Sequence, residues 1–151
     1  MAWDIKMDKF SQILEEFTEE CRNSFGNKLI SIILFGSYAR RTYTEYSDID
    51  LLVVADGLPK DRIARHKILN DVKLKFIYKY HIRISPIFIE PCDLSVKNIN
   101  PLIYGILTGY RVLYDSGNSW NTFTAKIKPK IYEKKPVYIE GEQQWKIAEM
   151  I

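Results

Sequence analysis

Cysteine and histidine are scarce in this chain of 151 residues, which contains two of each. Cys21 and Cys92 lie far apart, and neither has another cysteine or histidine nearby at the spacing of a zinc site, so the composition argues against structural zinc. We expect both thiols to be reduced in a cytoplasmic protein. A single structural disulfide between them is the alternative.

Long apolar segments and a strong charge of either sign are also missing. No run approaches the roughly 20 residues of a membrane-spanning helix, and the first residues lack the basic start and apolar core of a signal peptide. A net charge of +3 does not indicate a broad nucleic-acid-binding surface, so any anion site must be local. Hydrophobic residues make up 46% of the chain and no linker interrupts them, so we expect one compact domain.

The most informative stretch contains two short apolar runs, Leu29–Phe35 and Leu51–Val54. Both are nearly continuous and rich in β-branched residues, which predicts strands that are covered on both faces. Apart from Ser31, polar residues stand only at their ends. The chemistry of this stretch is therefore expected where the first strand ends and the second begins.

A glycine turn follows the first of these strands. Gly36 and Ser37 would present backbone N–H groups and a hydroxyl without a bulky side chain, which suits a phosphate group. A short helix is predicted to begin at Tyr38, with Arg40 and Arg41 in its first turn. Because basic residues oppose the helix dipole there, a bound anion would explain them. An ordinary strand-to-helix turn is the alternative.

Two aspartates precede the second strand. Asp48 and Asp50 are two residues apart, so their carboxylates leave the same face of an extended chain and lie close enough to share a cation. Oxygen ligands of this kind favour magnesium. The alternative is that Asp48 caps a turn and that Asp50 is merely exposed.

The remaining elements follow from periodicity and from turn residues. Helices are predicted over Asp4–Phe25, which ends at Gly26, and over Asp61–Tyr80, Asn98–Thr108 and Asn118–Ile131. Further strands are predicted over His81–Ile89 and Arg111–Tyr114, whereas Val137–Ile147 fits a hairpin or a strand and a helix. Asp61 is the predicted N-cap of the second helix, and Asn98 or Asn100 caps the third. Pro86 indicates an edge strand or a bulge.

The order of these features resembles the signature of the polymerase-beta-type nucleotidyltransferase superfamily, and within it the minimal nucleotidyltransferases of archaea and bacteria. The matching residues are Gly36-Ser37-Tyr38-Ala39-Arg40 and Ser47-Asp48-Ile49-Asp50-Leu51-Leu52-Val53. The resemblance implies an α/β (α+β) fold in which helices flank a mixed β-sheet. It also implies a nucleotidyltransferase domain over residues 1–115, with a C-terminal extension over 116–151 packed on it.

The resemblance also implies an activity, which is transfer of a nucleoside monophosphate from a nucleoside triphosphate to an acceptor hydroxyl, with release of pyrophosphate. Gly36 and Ser37 would hold the phosphates, and Arg40 would add charge near them or pair with a carboxylate. Asp48 and Asp50 would be the catalytic residues that hold Mg²⁺. The implied partners are the triphosphate and a small helical protein, as in toxin–antitoxin pairs.

Two positions depart from the family pattern. Arg41 stands where the family often has glycine, and Ser85 stands where its third carboxylate is expected. A hydroxyl is a poor metal ligand and a poor general base. Glu90 could replace the carboxylate only if a bulge near Pro86 changed the parity of the strand. The alternative function is therefore a nucleotide-binding or regulatory subunit, antitoxin-like, that lacks turnover.

Other polar residues give weaker indications. His66 lies on the predicted apolar stripe of the second helix and is interpreted as a core or boundary residue, together with Ile63, Leu69, Val72 and Phe76. His81 and Arg83 share a strand face with Ser85 and either line an acceptor pocket or are simply exposed. The lysines of the C-terminal region either meet nucleic acid or form a solvated face; they are Lys126, Lys128, Lys130, Lys134 and Lys135.

Overall fold

A mixed four-stranded sheet is the centre of the structure, a computed structural model that describes residues 2–97, 99–134, 137–139 and 144–146. The helices are α1 (Ala2–Phe25), α2 (Gly36–Arg40), α3 (Arg62–His66), α4 (Asn70–Tyr80), α5 (Pro101–Leu107) and α6 (Ser119–Lys134). The strands are β1 (Leu29–Phe35), β2 (Ile49–Ala55), β3 (Ile84–Ile89), β4 (Arg111–Asp115), β5 (Val137–Ile139) and β6 (Gln144–Lys146). None of the described helices has the length and apolar character needed to cross a membrane.

The strand order of this sheet is β3-β2-β1-β4. β1 is antiparallel to both β2 and β4, whereas β2 and β3 are parallel. The predicted mixed sheet with flanking helices is thus confirmed. Pro86 lies on the edge strand β3, as predicted, and pairs with Leu51 in a register without a shift, so no bulge accompanies it.

Two hydrophobic cores cover the two faces of the sheet. α1 and α4 pack on one face, where β2 contributes Leu51 and Val53, and α5 and α6 pack on the other, where it contributes Leu52 and Val54. This explains why the apolar run of β2 is continuous rather than alternating. β1 begins and ends as predicted, and β2 extends the predicted run by two residues at its start and one at its end.

The predicted helix over Asp61–Tyr80 is wrong in one respect, because the chain forms two helices there. Leu69, which precedes α4, has a left-handed backbone with φ of 61°, and this separates α3 from α4. The break turns α3 away from the core, so Ile63 is 66% exposed and His66 is exposed as well. Val72 and Phe76 are buried as predicted.

Capping residues were predicted more reliably than helix lengths. The Asp61 carboxylate accepts hydrogen bonds from the backbone N–H groups of Ile63 and Ala64, so it is the N-cap of α3. Asn100 caps α5 by accepting from the N–H of Ile103 at 2.9 Å, and Asn98 lies outside the described residues. β5 and β6 pair antiparallel, as the hairpin alternative predicted.

Both cysteines are free thiols, so the alternative of a structural disulfide is wrong. Cys21, a residue of α1, is fully buried in the core, and this burial raises the pKa of its thiol to about 12. Cys92 is exposed.

Candidate active site

The turn after β1 brings Gly36 into contact with Asp50. Phe35, the last residue of β1, pairs with Asp50 of β2, and Gly36 then opens α2 with φ of +72°. A Cβ atom at this position would collide with the carboxylate of Asp50 and would lie 3.0 Å from its Cγ. Only glycine combines this backbone conformation with so close an approach, so the sequence dictates that the turn passes directly over the carboxylate.

Asp48 and Asp50 stand together at the start of β2. Ile49 between them is fully buried, and its N–H donates to the carbonyl of Arg83 at 2.9 Å, which anchors the strand. Burial, together with the negative charge of Asp48, raises the pKa of Asp50 to about 6, although the positive charge of Arg40 acts to lower it. When both are ionised the two carboxylates repel each other, and a shared cation would relieve this repulsion.

Arg40 lies beside this pair from the end of α2. A Cβ atom at Gly109, in the turn between α5 and β4, would lie 2.7 Å from Cγ of Arg40. The turn thus contacts the aliphatic part of the arginine, while the guanidinium is near enough to Asp50 to lower its pKa. Arg41 follows with φ of 60°. This left-handed conformation costs a non-glycine residue about 1–2 kcal/mol, which explains why glycine suits the position.

Ser85 occupies the position beside Asp50 on the neighbouring strand. The parallel register pairs Asp50 with Ser85 and runs without interruption to the pair Val54 and Ile89. Paired residues of neighbouring strands point to the same face, so the serine side chain adjoins the carboxylates. Glu90 follows the opposite end of β3, where its carboxylate accepts from Arg65 at 3.4 Å. Glu90 therefore does not replace the missing acid.

A cavity of about 380 Å³ adjoins Asp48 on the side of α4 and β3. Its lining includes Tyr46, Asp48, Ile77, His81 and Arg83, and Nε of Arg83 lies 3.6 Å from Oδ1 of Asp48. The structure thus brings the predicted pair His81 and Arg83 to a pocket beside the carboxylates. Sequence reasoning missed Tyr46 and Ile77, because the first lies in an aperiodic loop and the second on the solvent side of α4.

Stacked aromatic rings hold the loop that leads to Asp48. Tyr38 of α2 stacks on Phe10 of α1 at 5.1 Å between ring centroids and on Tyr43 at 4.4 Å. The loop then closes on itself, since the N–H of Thr44 donates to Oγ of Ser47 at 2.9 Å. These contacts fix α2 and the loop against α1. No sequence signal pointed to the stack, because its three rings follow neither helical nor strand spacing.

The carboxylates of Asp48 and Asp50 suit a magnesium ion that takes further ligands from the phosphates of its substrate. Among the described residues no group of three or more histidine, cysteine, aspartate or glutamate side chains comes together, and Asp48 and Asp50 offer two carboxylates at the start of β2. Magnesium is commonly bound by one or two carboxylates together with substrate phosphates, so these residues fit the ion.

Most of the predicted lysine run lies within α6. This helix turns Trp120, Phe123 and Ile127 toward the sheet, and Lys126 and Lys128 are exposed while Lys130 is half-buried. Only the helical backbone of Lys134 is described, and Lys135 lies outside the described residues. The arrangement of the first two lysines agrees with a solvated face.

A mixed sheet with a glycine turn over paired aspartates is the architecture of a nucleotidyltransferase. The profile of the family described as "Nucleotidyltransferase domain" matches residues 14–112, and the chain belongs to that family. It is 59% identical over 141 residues to a protein of Methanocaldococcus jannaschii named as a candidate protein adenylyltransferase, with 93% of this chain and 96% of that protein covered. A second protein of that organism with the same kind of name is 36% identical over 102 residues, with 67% and 94% covered.

Solved structures share the fold. A toxin–antitoxin structure with AMP-PNP aligns with a TM-score of 0.53 and 22% identity over 80% of this chain and 92% of the other. A structure of the tri-AMPylated HEPN toxin of Shewanella oneidensis in complex with MNT antitoxin aligns with a TM-score of 0.51 and 20% identity, over 83% and 89%. The predicted family, fold and enzyme class are thus confirmed, and the protein is a nucleotidyltransferase.

Proposed function

We propose that this nucleotidyltransferase binds ATP with Mg²⁺ and transfers AMP to a hydroxyl group of a protein. The observation that carries the proposal is the contact of Gly36 with Asp50, which puts an unobstructed backbone turn beside two carboxylates. The names of the relatives from Methanocaldococcus jannaschii support adenylyl transfer to protein. The AMPylated toxin in one structural neighbour supports the same acceptor class, a small partner protein in a toxin–antitoxin pair.

The reaction is an in-line displacement at the α-phosphorus. The acceptor oxygen forms a bond to this phosphorus while the bond to the bridging oxygen breaks, and pyrophosphate leaves. Gly36 and Ser37 would hold the phosphates, and Arg40 would add positive charge beside them. Asp48 and Asp50 would hold the magnesium, which when bound neutralises charge on the phosphates. Ser85 cannot take the acceptor proton as a carboxylate would, so that proton passes to Asp48, Asp50 or water.

Two coarser proposals accompany the activity. The free thiols Cys21 and Cys92 support a reducing, cytoplasmic setting. Residues 116–151 are proposed as an extension of the nucleotidyltransferase domain, because Trp120 and Ile127 of α6 are fully buried in the core beside the sheet.

Calorimetry tests the binding step. The wild type should bind ATP more tightly with Mg²⁺ than without it, and Asp48→Asn/Asp50→Asn should lose this difference, because the variant lacks both oxygen anions that would hold the ion. Asp56→Asn is the matched control, since Asp56 is exposed just after the opposite end of β2 and should leave the difference intact. The proposal would be contradicted if the wild type bound ATP with equal affinity in the presence and absence of Mg²⁺.

A further inference from the structure

The loop between α2 and β2 is closed by its own hydrogen bonds and presents one tyrosine outward. The N–H of Thr44 donates to Oγ of Ser47 at 2.9 Å, and the N–H of Ser47 donates back to the carbonyl of Thr44 at 3.1 Å. The N–H of Tyr46 donates to Oγ1 of Thr44 at 3.2 Å, so its backbone belongs to this closed turn. The side chain of Tyr46 is 84% exposed. The turn therefore fixes the backbone of Tyr46 and leaves its side chain free to change rotamer.

Tyr46 lines the same cavity as Asp48. Among the described residues around this cavity of about 380 Å³, two carry a hydroxyl group, Tyr46 and Ser47. The hydroxyl of Ser47 accepts from Thr44, whereas the phenol of Tyr46 has no hydrogen-bond partner within the described part of the chain. Tyr46 therefore offers an unengaged hydroxyl beside the carboxylate. A cavity of this volume is in the size range of small-molecule sites.

Two other tyrosines of this region are engaged elsewhere. Tyr38 and Tyr43 stack on each other at 4.4 Å between ring centroids, and both line a separate cavity whose lining does not include Asp48. Burial raises the pKa of the Tyr38 phenol, and Tyr43 and Asp48 raise it as well, so this phenol holds its proton more firmly than an exposed tyrosine does. Tyr46 is therefore better suited than either of them to act as a nucleophile.

The position of Tyr46 in the chain keeps its phenol near the candidate site. Two residues span at most about 7 Å of backbone, so Tyr46 stays close to Asp48 when the loop moves. A group tethered in this way acts at an effective concentration of about millimolar order, without a docking step. Arg83 lines the same cavity, with its Nε 3.6 Å from Oδ1 of Asp48. Its positive charge would stabilise a phenol oxygen that loses its proton.

We propose that Tyr46 is a modification site at which the protein adenylylates itself. The phenol oxygen forms a bond to the α-phosphorus of ATP, the bond from this phosphorus to the bridging oxygen breaks, and pyrophosphate leaves. The phenol proton passes to solvent, and the product is a phosphodiester that joins AMP to Tyr46. This inference rests on the proposed function and adds an acceptor that belongs to the chain itself.

The test incubates the purified full chain with Mg²⁺ and α-³²P-labelled ATP, after mass spectrometry of the purified protein has recorded any AMP already attached during expression. Gel electrophoresis and peptide mass mapping should place one adenylyl group per chain on Tyr46. Tyr46→Phe should gain label about tenfold more slowly or less, because it keeps the ring but lacks the attacking oxygen. Calorimetry should show that this variant still binds MgATP. The wild-type rate per chain should not depend on protein concentration, because acceptor and carboxylates belong to one molecule.

Tyr78→Phe is the matched control, because Tyr78 is 80% exposed on α4 and is not among the residues that line the cavity of Asp48. It should gain label at the wild-type rate. The proposal is overturned if the wild type binds MgATP but carries and gains no AMP, or if Tyr46→Phe gains label as fast as the wild type. It is also overturned if the rate per chain rises with protein concentration, since the acceptor would then be a second copy. A wild type that does not bind MgATP contradicts the proposed function itself.

Discussion

Gly109 affects the candidate site through Arg40, although the two residues lie 69 positions apart in the sequence. Its backbone is not left-handed, so adding a methyl group creates no backbone strain and conflicts only with Cγ of Arg40, 2.7 Å away. Glycine therefore acts here as a positioning residue. The space it leaves lets the arginine extend toward Asp50.

Gly109→Ala should weaken MgATP binding about tenfold, because displacing the guanidinium removes a charge-assisted contact to phosphate. In an Arg40→Ala background, where Cγ is absent, the same change should have no further effect. Calorimetry on the two single variants and the double variant measures this coupling. Additive losses would contradict an effect through Arg40.

Asp50 predicts a specific dependence of stability on pH in the metal-free protein. Burial and Asp48 raise its pKa from an ordinary 3.8 to about 6. Between these values the unfolded chain loses its proton first, so the folded state is the one that binds more protons and stability falls as pH rises. The fall should total about 1–2 kcal/mol, less than the full shift implies because the carboxylate is partly solvated.

Asp50→Asn should remove this decline. In urea unfolding with EDTA the variant should match the wild type near pH 4 and exceed its free energy of unfolding by about 1–2 kcal/mol at pH 7.5. Magnesium should reduce this difference in the free energy of unfolding, because it should stabilise the wild type but not the variant. If the free energies of unfolding of the two proteins changed in parallel with pH, the carboxylate pair would not destabilise the folded state.

At the scale of the elements, the register of β3 decides where the third acid of the family would stand. Ser85 pairs with Asp50, and no shift between β2 and β3 brings another residue there. Ser85→Asp should therefore raise Mg²⁺ affinity and speed pyrophosphate release at least tenfold, because a positioned base contributes about 10²–10⁴ in rate. Its metal-free stability should fall through repulsion and recover on adding magnesium.

Ser85→Asn is the control for this change, since it adds a side chain of the same size without charge. Equal rates in the two variants would mean that position 85 does not serve the metal. Turnover that exists only in Ser85→Asp would instead establish the native chain as a nucleotide-binding subunit without catalysis.

Elements with a strong local signal were predictable, and the break between α3 and α4 was not. Apolar runs predict β1 and β2. The side chains of Asp61 and Asn100 predict the helix starts that they cap. Leu69 gives no such signal, because a left-handed leucine is rare and its conformation is set by packing rather than by its own preference. The periodicity of Val72 and Phe76 was therefore extended wrongly to Ile63.

For the whole molecule, the sequence predicted which residues meet but not what surrounds them. Gly36, Asp48 and Asp50 are recognisable because the chain itself brings them together across one strand pair. The stack of Phe10, Tyr38 and Tyr43 and the contact of Gly109 with Arg40 depend on tertiary packing between distant segments, which no local pattern reports. The exposed apolar residues of α4, which are Leu74, Ile77 and Tyr78, could not be predicted for a related reason. An amphipathic pattern does not identify the apolar residues that remain outside the core.

The burial of β2 has a consequence for how the molecule moves. Leu51–Ala55 are at most 1% exposed and hydrogen-bonded to a strand on either side, so their amide protons exchange with solvent only when the entire domain opens. Residues 40–46 are exposed, and their amides exchange through small local openings. The carboxylate pair therefore stands at the start of a strand whose amide protons exchange slowly, whereas the amide protons of the adjoining exposed loop exchange sooner. A bound nucleotide can therefore reduce local motion only in the loop, because β2 already opens only together with the whole domain.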